Sequence, residues 1–145
     1  MDREELLRPA LADHEQHPAG EKPWRLGSQV YVGFFGGAFA IGAVAFLNAR
    51  RLGMPVRARV AIVAIALVAE GALFAVVILT ETDEVRLVSI AAGLVAFGGA
   101  YLLQRSPDRV YHFHYHGDDE YASLFGPGLV ACIACRLVEA LVIFT

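Results

Sequence analysis

Three groups of residues carry chemistry. Glu70, Arg136 and Glu139 are charges inside long apolar runs, Cys132 and Cys135 form a C-x-x-C, and His112, His114 and His116 alternate with aromatic residues. Depth decides how the first group is read. Glu70 lies near the middle of Val60–Thr80, and Arg136 near the middle of Leu129–Phe144. If both runs cross a bilayer in the same direction, the two charges reach similar depth, since a helix rises about 1.5 Å per residue. A lone charge there costs about 2.5–3.5 kcal/mol on insertion scales. Pairing is the natural remedy, and Glu139 shares a helix face with Arg136 three residues earlier. The spacing predicts a Glu70–Arg136–Glu139 cluster between the second and fourth helices. Two carboxylates against one guanidinium leave a surplus negative charge. That is the chemistry of a proton-carrying site, and equally of a static latch between helices.

The cysteine spacing suits a redox disulfide. Four-helix membrane enzymes of the vitamin K epoxide reductase and disulfide-forming quinone type resemble this chain in span count and in that pair. They also use a second cysteine pair, and this chain has only two cysteines. Cysteine is otherwise an ordinary small apolar residue in a span. The run Tyr111–Tyr121 is read as extended, with the three histidines on one face and the aromatics on the other. Imidazoles so spaced chelate zinc, nickel or copper, with Asp118, Asp119 or Glu120 completing the shell. The plainer reading is an amphipathic surface segment whose histidines are solvated or respond to pH.

The elements that position these groups follow from hydropathy. Apolar stretches occupy Val30–Leu47, Val60–Thr80, Leu87–Leu103 and Leu129–Phe144. A membrane helix needs about 20 mostly apolar residues. The chain is 57% hydrophobic with mean hydropathy +0.52, against about 45–50% apolar for soluble domains. The predicted fold is all-α, a four-transmembrane-helix antiparallel bundle with spans at about 30–49, 58–80, 86–104 and 127–145. A polar tail over 1–28 precedes a single membrane domain over 29–145. No small-residue cleavage site follows the first run, so it reads as a retained span.

Lys and Arg near the spans set orientation. Arg50, Arg51, Arg57 and Arg59 crowd the first link, and Arg105 and Arg109 open the third. Links one and three, the latter histidine-rich, are therefore expected in the cytoplasm, with link two and both termini outside. Lys22 and Arg25 argue the other way. Trp24 and Tyr31 then anchor the outer interface. The four arginines of link one read as topology determinants that meet anionic lipid, not as a nucleic-acid patch. Gly33, Gly36, Gly37 and Ala40 give the first span a small-residue face for close packing, against a helix of the same chain, a second copy or a partner protein.

The run Phe34-Phe35-Gly36-Gly37, followed by Asn48-Ala-Arg-Arg-Leu-Gly53, resembles the opening of a group of small bacterial four-span membrane proteins. Its members pair an aromatic–glycine first helix with an N-x-R-x-L-G exit. The resemblance implies a multi-pass protein of the bacterial plasma membrane and implies no activity. Members carry a Gly-Gly and Ser-Trp-Trp stretch before the last helix, and Gly117–Gly128 departs from it. The residues together favour a small non-enzymatic scaffold or accessory subunit that needs no cofactor. A proton-coupled carrier using Glu70 stands second, and a metal-binding or thiol-redox membrane protein third. The partners expected are the bilayer and either a membrane protein or a second copy.

Overall fold

The computed structural model describes residues 21–80, 84–115 and 121–144. Their regular structure is helical: a 3-10 turn at Leu26–Gln29, then α1 (Val30–Arg51), α2 (Val56–Thr80), α3 (Val85–Tyr115) and α4 (Phe125–Phe144). The segments Leu26–Arg51, Val56–Thr80 and Val85–Phe113 are each long and apolar enough to cross a membrane.

The first of these is not one rod. Gly37 has φ 76° and ψ −170°, which breaks α1 in its first half. A straight helix of its 22 residues would hold its ends about 33 Å apart. Instead the residues before α1 lie beside its end. The Trp24 N–H donates to Asn48 Oδ1 at 2.6 Å, and Arg51 Nη1 donates to the Lys22 carbonyl at 3.0 Å. Arg51 also pairs with Glu21 at 3.1 Å and lies 3.9 Å over the Trp24 ring. The chain therefore enters along 26–36, turns at Gly37 and returns along 38–51.

The neighbours confirm the reversal. Along the incoming arm, Tyr31, Val32 and Phe35 bond in turn to Leu124, Cys132 and Arg136, so this arm runs parallel to α4. Along the returning arm, Gly37 faces Ser89 while Ala45 and Asn48 bond to Gln104, so that arm runs parallel to α3. The hairpin packs against all three other helices, while α2 and α4 barely touch.

This arrangement has two ends. The basal end holds residues 21–25, the close of α1, the start of α2, the close of α3 and the start of α4. Pro23 accepts a hydrogen bond from the Ala122 N–H there, and Tyr111 packs against Tyr121. Helix α2 leaves the basal end, α3 returns to it and α4 leaves again. The order corrects the expected topology. Residues 21–24, with Trp24 and Tyr31, share an end with links one and three rather than facing them across the molecule. A hydropathy window registers a folded-back run as one apolar stretch, so the sequence did not show the reversal. The expected tail is also shorter than 1–28, because Pro23, Trp24 and Leu26 are buried. Residues 1–20 lie outside the described residues.

Helix α3 corrects a second boundary. It runs through Pro107 to Tyr115, beyond the expected end at 104. A proline removes one helical hydrogen bond and crowds the preceding turn. Burial of Tyr111 beside Met54 and Leu52 holds the helix past that defect. Beside Ile41, Ile62 and Leu73 the core holds many small residues, among them Ala38, Ala40, Ala45, Ala49, Ala69, Ala92, Ala96 and Ala100, so helices approach closely. Large apolar side chains point outward instead, among them Val68, Leu79, Val130 and Leu141. An apolar exterior over a small-residue interior is the pattern a lipid solvent selects.

Spin labels on Lys22→Cys and Arg50→Cys, with Cys132 and Cys135 replaced by Ala, should report a separation under about 20 Å. A straight first helix requires more than about 33 Å, so a long distance rejects the hairpin.

Candidate functional site

The hairpin tip is where the chain's interior charges meet. The left-handed backbone at Gly37 costs a residue with a Cβ about 1–2 kcal/mol, and glycine avoids this. Space is as restrictive as conformation. A Cβ on Gly37 would sit 2.6 Å from Glu139 Oε1 and 3.2 Å from Ser89 Oγ. The break also leaves helix ends inside the protein. The incoming arm ends in carbonyls with no helical donor, and the returning arm begins with N–H groups lacking a helical acceptor.

Arg136 answers the first of these. Its Nε donates to the Phe35 carbonyl at 2.7 Å, and Nη1 donates to Ser89 Oγ and to Glu139 Oε2, each at 2.6 Å. One guanidinium thus ties α4 to the tip of α1 and to α3. A cation at the carboxyl end of one half-helix, with a carboxylate beside the amino end of the other, suits both helix dipoles. Glu139 is 6% exposed, and its second oxygen, Oε1, has no hydrogen-bond partner.

Glu70 enters from α2. It is 2% exposed, and neither carboxylate oxygen has a hydrogen-bond partner. It lies within coulombic reach of both Glu139 and Arg136. The expected cluster is therefore assembled differently. Arg136 spends its donors on Glu139, Ser89 and Phe35, and Glu70 stands beside that network without joining it. The direct α2–α4 pairing gives way to a tip of α1 that meets residues of α3 and α4. Ser89 was legible only as a polar residue in an apolar run. The Phe35 carbonyl was not legible, because nothing marked the helix as broken.

The small residues of α1 serve separate neighbours. Gly33 lies against Gly93 of α3, where a Cβ on either would strike the other's backbone. Gly36 lies against Cys132 of α4, Gly37 forms the tip, and Ala40 is fully buried. Cys132 approaches the Val32 carbonyl at 3.9 Å, Cys135 is half-buried within coulombic reach of Glu139 and Glu70, and both thiols are free.

The histidine segment lies only partly within the described residues. Tyr111–Tyr115 is helical rather than extended. His112 is exposed with its ring 6.4 Å from that of Tyr121. The side chain of His114 lies outside the described residues, as do His116, Asp118, Asp119 and Glu120. Among the described residues no group of three metal-ligating side chains occurs. Of the first-link arginines, Arg50 and Arg57 are exposed, Arg51 holds Trp24, and Arg59 is half-buried.

The fold and the tip define an all-α protein with three segments apolar enough to cross a membrane, folded around an interior charge cluster. No protein family, curated protein or solved structure matches the chain.

Arg136→Gln strands a buried carboxylate, so unfolding in bicelles should show a loss of about 3–5 kcal/mol, with part regained in Arg136→Gln/Glu139→Gln. A loss below about 1 kcal/mol, the worth of an exposed pair, would refute a desolvated network. Gly37→Ala should cost at least about 1–2 kcal/mol in the same assay, and a neutral result would refute the left-handed turn.

Proposed function

We propose that this chain is a membrane protein whose helices α2, α3 and α4 cross the bilayer while α1 enters and leaves by the same face. Each arm, at about 1.5 Å per residue, covers roughly half to two-thirds of a ~30 Å hydrocarbon core. The tip then sits near the midplane. Lys22, Arg25, Arg50, Arg51, Arg57, Arg59, Arg105 and Arg109 all belong to the basal end, and Arg86 alone to the other. The positive-inside rule makes the basal end cytoplasmic. Lys22 and Arg25, which contradict a four-span topology, agree with this one. The carboxyl terminus is then outside, as the sequence led us to expect, and the amino-terminal segment inside.

The function that fits this site best is proton handling, with Glu70 as the carrier group. The observation that carries this reading is a buried carboxylate with both oxygens unpartnered, set beside a second carboxylate that has one oxygen unpartnered. Ionisable groups at such depth mark ion and proton paths, and broken helices in membranes occur where they line such sites. Arg136 remains paired throughout and fixes Glu139, while Glu70 exchanges its proton. The scaffold reading draws on the same Arg136 network, which joins three helices, but it gives Glu70 no part. A latch would place Glu70 on a donor.

A rapid pH step applied to the full chain in liposomes on a solid support should give a transient current as protons enter the interior site. Glu70→Gln should abolish it while keeping the melting temperature within a few degrees. An equal transient in Glu70→Gln, or none in the unmodified chain, rejects the assignment.

A further inference from the structure

A second site lies away from the tip, on the outer surface between the returning arm of α1 and α2. A cleft of about 230 Å³ opens there, lined by Phe39, Gly42, Ala43, Phe46, Val63 and Leu67. Its floor is the contact between Gly42 and Ala66, where an added Cβ on Gly42 would come within 2.5 Å of the alanine methyl. The small pair draws the two helices together while Phe39 and Phe46 stand as walls. The lining is apolar throughout.

Beyond the basal end of the cleft, both lining helices continue to an arginine. Arg50 lies one helical turn beyond Phe46, and Arg59 one turn before Val63, each on the face of its lining residue. Arg59 is half-buried, and its Nε is buried without a hydrogen-bond partner. A guanidinium N–H withdrawn from water and left unfilled calls for an anionic oxygen, and the planar fork of arginine matches phosphate. An apolar slot that ends at two arginines, one with an unmet donor, has the polarity of an amphiphile standing upright in a leaflet.

We infer that this cleft holds one acyl chain of an anionic phospholipid, with its phosphate on Arg59 and Arg50. The slot differs from the diffuse attraction that any basic collar exerts on acidic lipid. It has one apolar floor, one mouth and a stoichiometry of one.

Native mass spectrometry of the full chain, titrated in detergent with phosphatidylglycerol or phosphatidylcholine, tests this. One phosphatidylglycerol should be retained per chain, with preference over phosphatidylcholine of roughly tenfold. Arg50→Gln/Arg59→Gln should lose the preference. Ala43→Phe, which fills the slot without changing charge, should lose the retained lipid. Arg105→Gln/Arg109→Gln removes the same charge elsewhere at the basal end and should leave the preference intact. Equal retention of the two lipids, or loss of preference in the Arg105/Arg109 control, overturns the slot. So does a mass corresponding to a second copy that persists in place of the lipid and is lost in Ala43→Phe.

Discussion

A helix that stops inside an apolar core must find partners for the backbone groups it frees, and this single requirement organises the molecule. In hydrocarbon an unmet carbonyl or N–H costs several kcal/mol. The turn at Gly37 creates such groups in the middle of the fold, where α3 and α4 supply the answers. Arg136 meets the Phe35 carbonyl, and Ser89 and Glu139 gather at the same point. The interior charges are therefore a consequence of the reversal as much as a feature in their own right. Remove the turn, and Arg136 loses an acceptor; remove Arg136, and the turn loses its donor.

The two ends of the hairpin are held by different means. At the basal end the amides around Asn48 are conventionally bonded. Asn48 accepts from Trp24 and donates to Gln104, Gln104 donates to Ala45, and Arg51 lies over the indole. Buried amides so satisfied fix a single arrangement. At the tip the ledger of donors is short: one guanidinium serves a carbonyl, a hydroxyl and a carboxylate, and three further carboxylate oxygens go without. Arg136 explains why Glu139 can be buried. It does not explain Glu70, and the proposed function rests on that asymmetry.

Much of the architecture was legible because hydropathy and length are strong signals in a chain of this composition. The second and fourth helices start and end within about two residues of their expected bounds, a normal margin for helix ends. Counting residues along two helices set Glu70, Arg136 and Glu139 near one another; the structure pairs Arg136 with Glu139 and leaves both Glu70 oxygens without a partner. Three things were hidden. The reversal at Gly37 depends on one backbone torsion, and Gly36-Gly37 reads equally well as a packing face. The helical state of Tyr111–Tyr115 depends on burying Tyr111 against residues far away in sequence, which local alternation cannot register. The donors of Arg136 go to a carbonyl exposed only by the break, so no pattern of side chains could have named it.

The orientation of the chain shows how a local torsion decides a global property. Read as four crossings, the sequence sets Lys22 and Arg25 against Arg50 and Arg51, and the charge rule must be broken somewhere. Read with α1 doubled back, the same residues lie side by side, with Arg51 bonded to the Lys22 carbonyl and paired with Glu21. The conflict then disappears without moving a charge, and Glu84 is left at the other end with Arg86. A glycine that permits φ 76° thus does more than relieve a steric clash. In the proposed topology it changes the parity of the chain's crossings, and with it the side assigned to the amino-terminal segment. It also brings the tip of a broken helix against Ser89, Arg136 and Glu139.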